Sequence, residues 1–456
     1  REDAVGSNRV AKSGGRGRKA SSVAADNRKR ELIHACARRS SSLWMCHCEN
    51  GSTPLSVEHA KGVKALAEVV PPTDVASEEE LRSWVEEETG ASITGWRQIA
   101  GGNRCRSWAV SLTREGAASG IYLRYQPPRP PSAEPYTVWR EAAVYRALDD
   151  TGVPLPRLIA VHPRHQAIMT ELKAGRAEFR SLTDDRERRA IASDFVRGLA
   201  QLHKTDFSGR AIPGHAPGMR IADCVRAELD TWGEMYRETG TPDALIDFAM
   251  GWLYGNLPDP DGEPVLVHGD AGPGNFLFDR GRMTALIDWE LAHAGDPMED
   301  LAWFSMRSVM EPVPDFIGSI REYEQAVGAP VDVARIRYHR VFVSARVVII
   351  RHRNVTGLPG NSIVSRSLNR RLLVDALADA TNVSLTAPEP LRAGDTPQTG
   401  FFDGIIDSLK VDVAGIANDP RVVAAAKNNA KVVKYLREVD RLGALVEQQE
   451  LAALST

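Results

Sequence analysis

The segment HGDAGPGNFLFDRGRMTALIDWE, residues 268–290, contains three oxygen-bearing side chains at spacings that suit chemistry on phosphate. Asp270 and Asn275 lie in one loop with Gly and Pro after a short apolar run, and Asp288 follows the next apolar run. A carboxylate can orient and deprotonate a hydroxyl, and Mg²⁺ accepts carboxylate and amide oxygens as ligands. We therefore expect Asp270 to orient an acceptor hydroxyl during phosphoryl transfer, with Asn275 and Asp288 holding magnesium.

This region resembles a known family. The HGD triplet at 268–270 with Asn275, followed by IDWE at 287–290, resembles the catalytic loop and metal-binding segment of the aminoglycoside phosphotransferase and choline kinase group. The runs GDP at 295–297 and DLAW at 300–303 are most similar to the branch of that group associated with acyl-CoA dehydrogenases. The resemblance implies an enzyme that uses ATP and Mg²⁺ to phosphorylate a hydroxyl of a small molecule.

Four further polar residues are expected to support the loop. We expect His268 to brace it through hydrogen bonds rather than to transfer a proton. Asp300 is expected to anchor the loop by accepting backbone hydrogen bonds at a helix start. Glu290 and Asp296 fit two roles equally, either orienting the metal ligands or capping local structure.

The phosphates of the nucleotide are expected to meet an earlier part of the chain. In kinases of the resembled group, a basic residue on a strand holds the phosphates and a Glu from the next helix steadies it. Arg124 is the basic candidate in the strand IYLRYQ, and Glu141 in the helix WREAAVY is its partner. Arg stands here instead of the usual Lys, and its planar guanidinium can hold phosphate oxygens in a bidentate manner. A surface Arg and a surface Glu are the alternative.

Two other segments are candidates for nucleotide contacts. The turn at Gly101 and Gly102 can bring backbone amides close to phosphate, although a plain hairpin turn explains the two glycines equally well. The residues Met169, Glu171 and Leu172 end a predicted strand at the place where the resemblance implies a hinge that binds adenine through backbone groups.

The patterns around these residues predict an α+β, bilobal, protein-kinase-like fold. Short alternating strands and one amphipathic helix predict a small β-rich lobe over residues 77–174, and helical periodicity predicts a larger lobe over residues 175–387. The apolar runs Val265–Val267 and Ala285–Ile287 look like the two strands of a hairpin. A Pro- and Gly-rich linker at 388–400 precedes a helical extension at 401–456.

Composition limits the class of protein. The formal net charge of -3 over 456 residues gives no bias toward nucleic acid, and no apolar stretch is long enough to predict a membrane span. The five cysteines are too few and too irregular for a disulfide framework, so we expect a cytoplasmic protein. Residues 1–76 are predicted to be a basic disordered extension, with a transit peptide as the alternative, and Cys46-His47-Cys48 lacks the second pair of ligands that a metal site needs.

The acceptor is the least determined part of the prediction. Trp232, Tyr236, Trp252 and Tyr254 either stack on an apolar or sugar-like acceptor or belong to the core, and the basic segment 335–353 either binds an anionic acceptor or is a solvated face. The resemblance favours a hydroxyacyl-type acceptor. An antibiotic kinase and a degenerate nucleotide-binding module are the alternatives, and the C-terminal helices are candidates for self-association.

Overall fold

The computed structural model describes residues 74–99, 104–353, 359–386 and 389–455. Residues 1–73 of the predicted extension, with the Cys46-His47-Cys48 cluster, lie outside the described residues, as does the turn at Gly101 and Gly102. The chain divides into two compact units, and residues 243–248 are the described part of the first. Every described candidate site residue belongs to the second unit.

The ordered chain starts with a capped helix, α1 (Glu78–Thr89). The hydroxyl of Ser77 accepts from the amide of Glu80 at 3.1 Å, and the Glu80 carboxylate accepts from the amide of Ser77 at 2.8 Å. These two bonds satisfy amides that a helix start leaves without intrahelical partners. The helix ends at Gly90, whose φ of 59° closes it in the left-handed conformation.

A five-stranded antiparallel sheet forms the small lobe, in the order β1-β2-β3-β5-β4. Its strands are β1 (Ser92–Ile99), β2 (Arg106–Arg114), β3 (Ala117–Tyr125), β4 (Leu158–Val161) and β5 (Ala167–Glu171), with helix α2 (Val138–Leu148) between β3 and β4. Leu123 and Tyr125 are buried in the core cluster between this sheet and α1. Because side chains alternate along a strand, Arg124 lies on the opposite face, where it meets α2.

Helices dominate the larger lobe. They are α3 (Asp185–Lys204), α4 (Ile221–Arg237), α5 (Ala244–Gly255), α6 (Pro297–Met310), α7 (Phe316–Val327), α8 (Val333–Arg353) and α9 (Pro359–Thr381). The C-terminal part contains α10 (Thr399–Asp407), a π-helical turn (Ser408–Val413) and α11 (Pro420–Leu454). None of the helices in the described part of the chain combines the length and apolarity that a membrane span requires. The bilobal fold, with a β-rich small lobe and a helical large lobe, is the fold that the sequence predicts.

The predicted hairpin in the larger lobe was wrong. Strand β6 (Val265–Val267) pairs with β9 (His293–Gly295), whereas β7 (Phe276–Asp279) pairs with β8 (Arg282–Leu286). Arg280 and Gly281, both with positive φ, form the two-residue turn that joins β7 to β8. A turn with two positive φ values matches the right-handed strand twist, so the local hairpin forms there and the two predicted runs take different partners.

A buried ion network joins the helices of the larger lobe. Arg346 of α8 is 1% exposed and donates to Glu299 of α6 at 2.5 Å, and Glu228 of α4 lies 3.8 Å from the same guanidinium. Burial alone would raise the pKa of Glu299, but the charges of Arg346 and His293 outweigh it and hold that pKa well below its usual range. The lobe therefore keeps a charged interior, and α4, α6 and α8 are fixed to one another by it.

Four of the six arginines in segment 335–353 form ion pairs within the protein. Arg335 pairs with Asp296, Arg337 with Asp379, Arg346 with Glu299 and Arg353 with Glu134 and Glu238. These ion pairs leave those four guanidinium groups engaged within the protein. The four aromatic candidates for acceptor binding differ in burial. Trp232 and Tyr236 are buried, whereas Trp252 and Tyr254 are half-buried.

The buried network predicts an unequal response to two substitutions in α8. Arg346→Met removes the buried guanidinium that contacts both Glu299 and Glu228, so we expect a loss of about 3–5 kcal/mol in the free energy of unfolding. Arg337→Met removes a half-exposed pair with Asp379, and we expect a loss below about 1 kcal/mol. Urea unfolding of both variants measures the difference, and equal losses would show that burial of the pair carries no special cost.

Candidate active site

The loop that contains Asp270 is held by a carboxylate from helix α6. Asp300, which is fully buried, accepts from the backbone amide of His268 at 2.7 Å and from that of Gly269 at 2.9 Å. His203 of α3 donates its Nε2–H to the same carboxylate at 3.0 Å. Two backbone groups and one side chain thus converge on Asp300, and the start of the loop is fixed to the first turn of α6 and the last turn of α3.

Gly269 lets this loop pass close to another segment. Its φ is +76°, and a Cβ at this position would overlap the carbonyl oxygen of Leu291. No L side chain fits such a space, so the close approach of the loop to residues 289–291 depends on glycine here.

His268 connects the loop to the strand segment that carries Asp288. Its Nε2–H donates to the carbonyl of Ile287 at 3.0 Å, and its ring packs on Trp289 with centroids 4.6 Å apart. The amide of Ile287 in turn donates to the carbonyl of Asn275 at 3.0 Å. Because Nε2 faces a carbonyl, it carries the proton, and the histidine acts here as a brace between the two halves of the site.

Asp270 lies among three hydrogen-bond donors. Asn275 Nδ2 donates to the Asp270 carboxylate and to its backbone carbonyl, each at 2.8 Å. Arg307 of α6 donates from Nε to Asp270 Oδ1 at 2.7 Å, and its Nη2 bonds Oδ2. Burial would lower the pKa of Arg307, but the Asp270 carboxylate outweighs it and raises that pKa.

Sequence reasoning missed Arg307. It is 37 residues from Asp270 along the chain, and the run DLAW in the same helix ends four residues before it. The two glycines of the loop were a signal that another side chain packs closely against it, because Gly272 and Gly274 leave the space that Arg307 fills.

Arg124 faces three carboxylates. It lies 3.3 Å from Glu141, 2.7 Å from Asp288 and 2.7 Å from Glu290. The expected pairing with Glu141 is present, and the contacts with the predicted metal ligand and with Glu290 come in addition. Burial would lower the pKa of Arg124, but Glu141 and Asp288 outweigh it and raise that pKa well above its ordinary value.

Burial and charge act oppositely on the carboxylates around Arg124. Burial raises the pKa of Glu141 to about 7, even though Arg124 lowers it. Burial also raises the pKa of Glu290, and the nearby Asp288 adds to the effect. For Asp288 the attraction of Arg124 outweighs burial, so its pKa falls. Asp288 therefore carries the negative charge most firmly of the three.

The backbone of Asp288 is strained. Its φ of 69° and ψ of 60° lie in the left-handed region, which is costly for a residue with a Cβ. Such conformations are found mainly where the surrounding structure holds a functional side chain in place. Arg124 occupies Oδ1 of this carboxylate.

Asp296 and the predicted hinge residues make none of the contacts described above for Asp270, Asp288 and Arg124. Asp296 is fully buried. It caps α6 by accepting from the amide of Met298 at 3.0 Å, and it also bonds His339 of α8 at 3.1 Å, so its role is structural.

At the predicted hinge, Met169 is fully buried in the core. The amides of Glu171 and Leu172 donate to the carbonyls of Arg157 and Gly120, so those two N–H groups are not free for an adenine ring.

The close approach at Gly269 can be separated from simple backbone strain. Gly116, in the turn between β2 and β3, has a similar φ of +81° and open space around its Cβ position. Gly116→Ala is expected to cost about 1–2 kcal/mol from the left-handed conformation alone. Gly269→Ala meets the Leu291 carbonyl as well, and we expect a loss several kcal/mol larger in urea unfolding. Equal losses would remove the contact as the reason for glycine.

The raised pKa of Glu141 predicts a pH dependence of stability. Between the unfolded value of 4.5 and the folded value of about 7, the native state keeps a proton that the unfolded chain has released. The contribution of Glu141 to the free energy of unfolding is therefore fully present below pH 4.5. It falls by about 3 kcal/mol as the pH rises through 7.

Glu141→Gln should remove this dependence. We expect urea unfolding at pH 4.5, 5.5, 6.5 and 7.5 to show a steeper decline for the wild type than for the variant. Glu87→Gln, at an exposed position of α1, serves as the control and should follow the wild type. Parallel profiles for the wild type and Glu141→Gln would contradict the assignment.

Solved structures with a similar fold are phosphotransferases at low sequence identity. A complex of aminoglycoside phosphotransferase APH(4)-Ia with ADP and hygromycin B aligns with a TM-score of 0.49 and 18% identity, over 65% of this chain and 97% of that one. A putative fructosamine-3-kinase from Thermobifida fusca aligns with a TM-score of 0.45 and 18% identity, over 66% of this chain and 100% of that one.

Curated relatives are closer in sequence. Human acyl-CoA dehydrogenase family member 11 is 34% identical over 196 residues, which is 40% of this chain and 25% of that protein. The probable acyl-CoA dehydrogenase IBR3 of Arabidopsis thaliana is 30% identical over 226 residues, which is 44% of this chain and 26% of that protein. The chain thus spans about a quarter of the length of the curated relatives it matches.

The broadest match is to a family rather than to a single protein. Residues 95–337, from strand β1 into helix α8, match the phosphotransferase enzyme family APH. The matched region is more than half of the chain and contains the loop at 268–275, Asp288 and Arg124. The chain therefore belongs to the phosphotransferase enzyme family.

Proposed function

We propose that this protein transfers the γ-phosphoryl group of ATP, with Mg²⁺, to a hydroxyl of a small molecule. One observation carries the proposal: Asn275 donates to Asp270, and the backbone of Ile287, which precedes Asp288, is hydrogen-bonded to both His268 and Asn275. Phosphoryl transfer depends on positioning and charge stabilisation more than on covalent chemistry, so a site of this kind needs little else from the protein.

Asp270 is suited to orient the acceptor. A carboxylate has about four positions that accept hydrogen bonds. Among the described residues, Oδ2 accepts from Asn275 and Arg307, and Oδ1 accepts from Arg307 alone. One acceptor position on Oδ1 remains for the hydroxyl of the acceptor, which would align the attacking oxygen and take its proton late in the reaction.

The donor set also fits magnesium. The Asn275 amide nitrogen is bound to Asp270, which leaves the amide oxygen as a ligand, and Asp288 carries the most firmly ionised carboxylate. Mg²⁺ prefers one or two protein oxygens together with phosphate and water. When bound between Asn275 and Asp288, the ion would neutralise charge on the transferred phosphoryl group.

Arg124 would contribute to nucleotide binding at the other side of the site. Its guanidinium is fixed by Glu141, Asp288 and Glu290. Phosphate oxygens would compete with these carboxylates, and Mg²⁺ at Asp288 would release one of its contacts. We expect Arg124→Ala to weaken MgATP binding more than acceptor binding, as calorimetry can measure.

For the acceptor, we favour a hydroxyacyl-type metabolite. Support comes from the similarity to acyl-CoA dehydrogenase family proteins, of which this chain covers about a quarter. An aminoglycoside or another antibiotic is the alternative acceptor. It fits less well, because no run of carboxylates marks the helices that follow the hinge.

A nucleotide-binding module without turnover is the second candidate function. The ion pairs that engage both Asp270 and Asp288 favour it, since each carboxylate is already neutralised by an arginine. The two candidates differ in one outcome, namely whether bound MgATP is consumed.

ATP turnover with magnesium across a panel of hydroxyacyl-CoAs, other hydroxylated metabolites, aminoglycosides and choline tests the proposal. We expect at least one acceptor to stimulate turnover and Asp270→Ala to lower kcat by about 10²–10⁴-fold while MgATP binding persists. Asp279→Ala, an exposed carboxylate of the β7–β8 hairpin, should retain activity. Binding of MgATP without any turnover would establish the second candidate, and loss of both binding and turnover would reject the two together.

A further inference from the structure

The loop between Asp270 and Asn275 carries no charge of its own. Its residues are Ala271, Gly272, Pro273 and Gly274. Phosphoryl transfer moves a strongly anionic group past Asp270, so cations are needed close to the reacting atoms. Arg124 supplies one from the small lobe, where it is bound to Asp288 and Glu290.

The cation on the acceptor side comes from helix α6. Arg307 contacts both carboxylate oxygens of Asp270, and its Nη1 donates to the carbonyl of Pro273 at 3.0 Å. Its side chain is only 26% exposed, and the fork geometry of a guanidinium fixes a carboxylate in direction as well as in charge.

Both glycines of the loop make room for this arginine. A Cβ on Gly272 would lie 3.0 Å from Cδ and 3.1 Å from Cβ of Arg307, and a Cβ on Gly274 would lie 3.2 Å from its Nη1. Such distances are shorter than ordinary van der Waals contact, so the neighbouring side chain would have to shift. Three consecutive loop residues, 272 to 274, therefore contact Arg307 through their backbones or through the space left by a missing side chain.

We propose that Arg307 is the positioning residue for phosphoryl transfer at this site. It holds the Asp270 carboxylate so that one acceptor position on Oδ1 faces the incoming hydroxyl, and it supplies the positive charge that the loop lacks. Two of the five guanidinium N–H groups have no partner among the described residues, and they are donors available to an anionic group beside Asp270. This inference rests on the proposed function, because it assigns Arg307 a role in that reaction.

Steady-state kinetics of Arg307→Ala, Arg307→Lys and Asp270→Ala with MgATP and the stimulating acceptor test the role. We expect Arg307→Ala to lower kcat by about 10²-fold, the loss typical of a misplaced reacting group, with the KM for MgATP changed less than about threefold. Arg307→Lys should recover part of the loss, because an ammonium supplies charge without the bidentate geometry. Added guanidinium should raise kcat of Arg307→Ala and should leave Asp270→Ala unchanged.

A matched control is available on helix α3. Arg188 of α3 bonds the carbonyl of Pro312 and pairs with Asp185, and it does not contact Asp270. Arg188→Ala should therefore keep kcat within about threefold of the wild type. An Arg307→Ala variant that behaves like Arg188→Ala would overturn the proposal, as would a loss of kcat that neither lysine nor added guanidinium relieves.

Failure of the proposed function would be recognised separately, because the wild-type protein itself would then show no acceptor-stimulated ATP turnover. Urea unfolding of Arg307→Ala, Asp270→Ala and the double variant then examines the pair without reference to turnover. If the free energy of unfolding of the double variant is no lower than that of the less stable single variant, Arg307 and Asp270 are coupled. Losses that simply add would show that the two side chains act independently, and they would overturn the positioning role.

Discussion

Four carboxylates converge where the small lobe meets the loop of residues 268–275, and their mutual repulsion is the constraint that the rest of the site satisfies. They belong to Glu141, Asp270, Asp288 and Glu290, and two arginines, Arg124 and Arg307, offset them. Taking such charges out of water without partners would cost several kcal/mol each. The pKa values reflect both effects, since burial raises those of Glu141 and Glu290 while Arg124 lowers that of Asp288.

Helix α6 connects that charge balance to the larger lobe. Asp300 binds the backbone of the loop, Glu299 binds the buried Arg346, and Arg307 binds Asp270. Asp300 and Arg307, two turns apart on one face of the helix, both bind the loop, while Glu299 binds α8, so a single helix sets the position of the loop and of α8. The capping contact of Asp296 fixes the start of the same helix.

Much of the fold and part of the site can be predicted from the chain. The small lobe follows from alternating strands and one amphipathic helix, because burial on one face repeats every two or every 3.6 residues. The spacing of Asp270, Asn275 and Asp288 is also a local pattern, whereas the pairing of Arg124 with Glu141 was expected from the resemblance to the aminoglycoside phosphotransferase and choline kinase group. The hairpin expected between 265–267 and 285–287 failed because two short apolar runs do not specify which strands pair, and the turn at Arg280 and Gly281 decided it.

What the sequence determined by itself is the order and spacing of the candidate residues Asp270, Asn275 and Asp288, since these lie in motifs of a few residues. The tertiary structure alone decided which charges neutralise them. Arg307 reaches Asp270 across 37 residues, and Arg124 turns to Asp288 and Glu290 as well as to Glu141. Such contacts depend on where helices and strands pack, and a guanidinium bonds any carboxylate within reach, so no local spacing encodes the choice. The glycines at 272 and 274 show the link, because their small size has a purpose that appears only when helix α6 is in place.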